Sequence, residues 1–582
     1  MRLLRLILLV LCFTIPTIAQ DKLKTPDSEV QDAIKFLVGN DPNGNPYVNK
    51  IDQQFIELFS TYAIPDEKAK QDAVLACSYI LHSLVGPSKN FEENNAGGFN
   101  PLAKMVLNEE TKKLEFVALQ RVPFSNTLWW IDIRDFNFTR QAFETAAGLD
   151  GYFTVPGVQE PNNGALRLIA GNCILRMDSF MLAVTDTTRQ RDISNKFDLY
   201  NTFLFAQVTP PKNISEWKKL FAIDTDKARE IGNEYGAIVT VSKAVALHNR
   251  FLFGYNTENS YLYETYDVKN QQGLRDYFEG FFLNKRPGTP PAVSDAGEVI
   301  GTNQLGLQVY ALRNEKGELI NFADPSVARN LSDAHGDVRV RVAHGCIDCH
   351  SSGIIPAENT SKSFVKENGD ILLPNRIDRN RVKRVLLDGR FEDSVTFNRM
   401  LYARAIEKTN GLSPEDTGKA YMNTVENYLK SVDLKRAAFE CGVSQELFKE
   451  KVSAQAFGGR LKLLINNNIP IPVDVWESRG ADGIPGGFQQ AMMAIHGVTK
   501  VVDTVEVLNE VPPDLKIVSD PKQIKIGDFI VLKEAVDLYS SSVKRGTLPI
   551  GTKAQITNEQ NGFYMLEANG ITGYAKKENI KF

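Results

Sequence analysis

Two thiols three positions apart, with an imidazole directly after the second, are the residues of this chain best suited to chemistry: Cys346-Ile347-Asp348-Cys349-His350. The spacing suits covalent attachment of haem c. Each thiol can add across one of the two vinyl groups, and the adjacent histidine then reaches the iron from one side of the ring. The reading is one haem c tethered by Cys346 and Cys349, with His350 as the proximal iron ligand. A lone C-x-x-C could also be half of a zinc site or a dithiol redox pair. No second C-x-x-C stands at matched spacing, and this pair follows a turn-like Ala343-His344-Gly345 instead of closing a βαβ unit.

The opposite face of the iron decides between carrying electrons and binding a substrate. Met400 is the first candidate for that sixth position. It lies 50 residues after His350 and shares an apolar helical stripe with Val395, Phe397, Leu401 and Ala405. Met422, 72 residues after His350, and His248 are alternatives, as are Met492, Met493 and His496 at longer range. An open sixth position stands beside them. His344 is too near His350 in the chain to cross the ring, and His82 reads as a partly exposed helix residue.

The elements that position these groups begin with an export signal. Arg2 and Arg5, the apolar stretch Leu6–Ile15 and the small-residue site Thr17-Ile18-Ala19 mark residues 1–19 as a secretory leader. Cys12 lies within it without the small residues that precede a lipidated cysteine. No later run of about 18 apolar residues follows, so the mature protein is expected to be periplasmic or otherwise exported and not membrane-spanning. The 582 residues carry 67 Lys+Arg and 71 Asp+Glu. Loss of the leader removes two arginines and no acids, leaving 65 against 71 and a net charge of −6, which argues against nucleic acid as a partner. Cys77, Cys173 and Cys441 remain outside the motif, enough for one disulfide at most.

The expected fold is α+β and multidomain: a mixed α/β N-terminal region (20–330), a mainly helical haem region (331–498), a linker (499–523) and a small β-barrel (524–582). Val30, Ala33, Ile34, Leu37 and Val38 predict a first helix capped by Asp27 or Ser28, and Val74, Cys77, Leu81 and Leu84 a second near 68–84. Asp41-Pro42-Asn43-Gly44-Asn45-Pro46 reads as a turn; Pro46 stands where a calcium loop needs glycine. Strands are expected at Thr127–Asp135, Ile238–Val241, Tyr261–Tyr266 and Gly306–Leu312, with a hairpin turn at Arg313–Gly317. Ser413-Pro414 opens a helix with the stripe Tyr421, Val425, Tyr428, Leu429 and Val432, and Ser444 caps another. Arg376–Arg384 is a basic run that reads as a solvated face or, functionally, as a source of an arginine for a haem propionate.

Four stretches resemble a group of large exported bacterial proteins that carry one cytochrome-c-type haem. They are Trp130-Ile131-Asp132-Ile133-Arg134-Asp135-Phe136; Asn249-Arg250; Gly297-Glu298 with Gly306-Leu307-Gln308 and Tyr310; and Gly345–His350 with Gly353. The likeness covers about Thr127 to Ile355. The chain departs from it at Ser294, where the family has histidine, and at His344, where it has asparagine, so the resemblance supplies no distal ligand. In the tail, Gly551-Thr552-Lys553 and Asn569–Tyr574 resemble motifs of bacterial SH3-like barrels, with strands expected at Asp528–Lys533, Gly551–Thr557, Phe563–Ala568 and Thr572–Ala575. That resemblance implies binding of a cell-wall peptide or a partner protein.

The function these features imply is single-electron transfer to or from a periplasmic redox protein. The alternatives are a peroxidase-like haem enzyme with an open sixth position, and a redox- or gas-responsive protein whose SH3-like module is the output. No phosphate-cradling loop, nucleophile elbow or H-E-x-x-H favours hydrolase or nucleotide chemistry.

Overall fold

A computed structural model describes residues 26–87, 105–107, 114–116, 119–143, 159–160, 164–165, 174–186, 199–221, 224–239, 250–257, 260–270, 294–330, 339–372, 375–387, 390–453, 459–477 and 486–495, and in the tail 529–533, 536–540, 543–548, 553–560, 563–568, 571–577 and 580. The leader, the linker, Cys173, His248 and His496 lie outside these residues. The chain forms two compact units, Met1–Val501 and Val502–Phe582. No seam falls at 330/331, because elements from both sides of that position share one core.

Two larger sheets, two short two-stranded ones and a helical layer make up the described residues of the first unit. Strands β1 (Ile56–Ser60), β2 (Gln120–Arg121), β3 (Leu128–Asp132) and β4 (Ile174–Arg176) make a mixed sheet in the order β2-β3-β1-β4. Its predicted strand stops early: Asp132 accepts from the Arg134 N–H and turns Ile133–Phe136 into a 3₁₀ segment. The second sheet is an antiparallel meander of six strands: β5 (Glu234–Val239), β6 (Arg250–Asn256), β7 (Tyr261–Tyr266), β8 (Ala296–Thr302), β9 (Gln308–Asn314) and β10 (Leu319–Ile320). Tyr261–Tyr266 has the bounds its aromatic alternation predicts. Asn314 accepts from Gly317 to close the expected hairpin.

The helices used below are α1 (Pro26–Val38), α2 (Glu67–Ser83), α3 (Met177–Thr185), α4 (His344–His350), α5 (Ser361–Leu372), α6 (Arg376–Leu386), α7 (Arg390–Asn410) and α8 (Pro414–Leu429). In α1, Ala33 and Leu37 are buried while Val38 is exposed, and the proposed caps Asp27 and Ser28 lie inside the first turn, because the helix already begins at Pro26. Asp66 caps α2 by accepting from Ala69 N–H. Ser413 caps α8 by accepting from Asp416 N–H, with Pro414 at the first turn, and Tyr421, Val425 and Tyr428 are buried as expected. Helix α2 packs against α8, α3 and α7. His82, expected to be partly exposed, is therefore wholly buried, since both sides of the end of α2 are covered.

Buried tyrosines tie the meander to α7 and α2. The Asn398 amide donates to the hydroxyls of Tyr235 at 2.9 Å and Tyr263 at 3.1 Å, and the Tyr79 and Tyr402 hydroxyls share a hydrogen bond of 3.0 Å. The loop at Asp41 is an Asx turn, with the carboxylate accepting from the N–H groups of Asn43 and Asn45. Cys77 and Cys441 are both buried free thiols, so no disulfide joins them.

The second unit is a six-stranded antiparallel sheet of β11 (Phe529–Val531), β12 (Val536–Ser540), β13 (Val543–Leu548), β14 (Lys553–Gln560), β15 (Phe563–Ala568) and β16 (Ile571–Lys576). Its order is β11-β14-β15-β16-β12-β13, over a core that includes Ile530, Ile556 and Leu566. Strands β12 and β13 go beyond the four expected. A bulge at Leu538/Tyr539 and the polar Lys544-Arg545-Gly546 hide their alternation.

Candidate cofactor site

Helix α4 carries the C-x-x-C-H residues, and the fold fixes both of its ends. Ala343 just before it has φ 62° and ψ −75°, and the His344 N–H donates to Val342 O at 2.9 Å, which together make a γ-turn. That conformation is strained for any residue with a Cβ. Three contacts hold it in place. Arg341, buried, donates from Nη1 to both carboxylate oxygens of Asp186, at 2.9 and 2.8 Å. The His344 Nδ1 lies 2.9 Å from the Tyr421 hydroxyl, which donates to Thr185 Oγ1 at 3.1 Å. At the other end Gly353, at φ 96°, donates its N–H to His350 O at 2.8 Å. Between these anchors the helical i, i+3 spacing puts Cys346 and Cys349 on one side, with His350 next round the turn.

A cavity of about 460 Å³ opens between α4, the following segment at 354–358 and one face of the second sheet. Cys349 and His350 line it from one side. Val239, Leu252, Ile300 and Leu312 give the facing wall its apolar surface, and Ile355, Pro356 and Glu358 are exposed at the edge. Cys346 is buried behind that surface in contact with Glu298. The His350 Nε2 stands 3.6 Å from Glu298 Oε2, beyond hydrogen-bond range, and its Nδ1 is buried without a hydrogen-bond partner.

The facing wall also carries charge. Arg250 on β6 donates from Nε and Nη2 to the two oxygens of Asp267 at 2.7 and 2.8 Å. Arg313 on β9 lies over the Tyr266 ring at 4.6 Å and donates to Thr265 O at 3.1 Å and Ser294 Oγ at 3.3 Å. Gly297 on β8 makes room for it: a Cβ there would lie 2.2 Å from Thr265 O and 2.8 Å from Arg313 Nη2. Burial pushes the Glu298 carboxyl up, but the neighbouring His350 ring and Arg250 guanidinium more than offset it and hold it below the usual carboxylate range. Burial, reinforced by Glu298, lifts the Cys349 thiol to about 12 and raises Cys346 as well. Both thiols are therefore protonated at neutral pH.

Of the residues singled out in the sequence, Cys346, Cys349 and His350 come together at this cavity. Met400 does not join them: it lies on α7, 47% exposed, and is not part of the cavity lining. The buried stripe of α7 runs through Phe391, Val395, Asn398, Tyr402 and Ala405, so Met400 and Phe397 fall on its outer side. Met422 packs against the main core from α8 and is likewise not in the lining. The basic run forms α6, where Arg381 pairs with Glu234 on β5, and no residue of it lines the cavity. Trp130 packs on Phe36 at 5.5 Å, on the other sheet.

Reading by motif and periodicity did not assign Arg250, Glu298, Asp267 or Arg313. The available signal lay in the resemblance, where three of the four stretches, at Arg250, Gly297-Glu298 and Gly345–His350, converge on one cavity. Comparison with family models, with curated proteins and with solved structures gives no match to the chain.

Proposed function

We propose that the chain is an exported c-type cytochrome whose single haem c lies in this cavity and passes electrons singly to or from a periplasmic redox protein. The observation that carries the reading is that Cys349 and His350 open directly onto a largely apolar cavity of about 460 Å³, within the range of cofactor pockets. The side chains suit the group. Cys346 and Cys349 would tether it, His350 would ligate the iron through an imidazole that makes no hydrogen bond in the protein, and the β5–β9 wall would exclude water. Haem supplies reversible one-electron chemistry when bound, at a potential that burial and neighbouring charge tune. The exposed edge at Ile355–Glu358 gives a partner an approach to the cavity.

One observation favours a haem enzyme as the second reading. No methionine is present in the described lining, while the carboxylate Glu298, 13% exposed, and the cation Arg250 are. Such a pair could hold and move a proton beside an open sixth position. For the tail, the six-stranded sheet supports an SH3-like module that binds a cell-wall peptide or a partner protein. Residues 1–19 support export. No described helix is long and apolar enough to cross a membrane.

Expression in a host that matures c-type haem tests the reading. The mature chain should gain the mass of one haem, and Cys346→Ala with Cys349→Ala should abolish the gain. A low-spin ferrous spectrum unchanged by carbon monoxide supports electron transfer. A high-spin spectrum that binds carbon monoxide supports the enzyme, and absence of covalent haem overturns both.

A further inference from the structure

The haem reading leaves Arg250 without a task, although its placement is specific. It lines the cavity with a side chain 12% exposed. Asp267 takes Nε and Nη2, and Thr265 Oγ1 accepts from Nη2 at 3.3 Å, which fixes the guanidinium plane. Nη1 makes no hydrogen bond. Arg313, the other arginine of the lining, differs: its Nη1 donates to Asn314 O, its Nη2 to Thr265 O and Ser294 Oγ, and its Nε faces Glu264 at 3.4 Å. One cation on the wall thus has both terminal nitrogens engaged, and the other presents a free Nη1.

Resting on the haem reading, we infer that Arg250 is the docking point for a carboxylate of the cofactor, a haem propionate. A guanidinium held rigid by Asp267 loses little freedom when it binds a second carboxylate, and a charge-assisted bond is stronger than a neutral one. The arginine also offsets the cost of placing a propionate beside the carboxylates of the wall. Glu298 and Asp267 alone would make the same wall repel it.

Resonance Raman of the haem-loaded full chain reads the contact directly, since the propionate bending band follows hydrogen bonding to that group. The band should shift in Arg250→Gln, shift less in Arg250→Lys, and stay in place in Arg313→Gln, whose terminal nitrogens already donate to Asn314 O, Thr265 O and Ser294 Oγ. The midpoint potential should fall in Arg250→Gln, because loss of a nearby positive charge favours the ferric state. Mass spectrometry on each variant confirms that haem is attached, and Arg250→Lys serves where Arg250→Gln does not fold. A propionate band unchanged in the Arg250 variants while haem is attached overturns the assignment. Absence of covalent haem from the wild-type chain would instead overturn the function proposed above.

Discussion

His82 should make the protein acid-sensitive by an amount that its surroundings set. It is fully buried on α2, its ring 5.4 Å from that of Phe136. Nδ1 lies 2.9 Å from Ser78 O, so Nδ1 carries the hydrogen, and Nε2 is left buried with no partner. Charging the ring would place a second N–H in apolar surroundings. Burial accordingly pushes its pKa down to about 4, only partly opposed by the Ser78 carbonyl. The unfolded chain takes up this proton below the ordinary value of 6.5, whereas the folded chain refuses it until about pH 4. Stability is therefore complete above 6.5 and falls as the pH drops through that window. The linkage relation gives a loss of about 2 kcal/mol between about pH 7.5 and about pH 5, and about 3 kcal/mol by pH 4. Urea unfolding of wild type and His82→Phe at both pH values isolates the effect, because every other group titrates in both proteins. The variant loses the Ser78 contact at all pH values, a constant offset of about 1 kcal/mol. Equal acid losses in the two proteins would refute the argument.

Gly297→Ala should destabilise the first unit by about 1–3 kcal/mol or more, since the new methyl meets the Thr265 carbonyl, which is backbone and cannot swing aside; thermal unfolding measures it. Arg341→Met should cost about 3–5 kcal/mol by taking from the buried Asp186 the guanidinium that donates to both of its oxygens, and adding Asp186→Leu should recover most of the loss. Ala343→Gly should stabilise by about 1 kcal/mol, as relief of the γ-turn, worth about 1–3 kcal/mol, outweighs the entropy of glycine; a loss of stability would mean that the turn is unstrained.

Much of the scaffold was legible because its signals are local. The Ser413-Pro414 start of α8 and the alternating aromatics of Tyr261–Tyr266 need no knowledge of distant residues. The two misreadings share a cause. A helical stripe identifies a buried face only when the opposite face meets water. The end of α2 is covered on both sides, so Tyr79, Ile80, Leu81, His82 and Ser83 are all buried and His82 left no trace in the pattern. On α7 the face that packs is centred on a polar residue, Asn398, chosen for the hydroxyls of Tyr235 and Tyr263. Apolar Met400 and Phe397 were left outside it and drew the stripe to the wrong side.

The candidate site divides along the same line. The half proposed to attach haem is written in five consecutive residues, because two thiols and an imidazole would have to follow one another on a single turn to reach one ring. The facing half has no such constraint. Arg250, Asp267, Glu298 and Arg313 come from four places in a meander, and only the pairing of β6, β7, β8 and β9 brings them together. Each alone reads as an ordinary strand charge. What marks them as a group is that they are charged, each at most 13% exposed, and on a cavity wall, a combination the fold must stabilise by pairing such as Arg250 with Asp267. If the proposed haem lies against this wall, exchanging Arg250 should register on that haem before it registers on the fold.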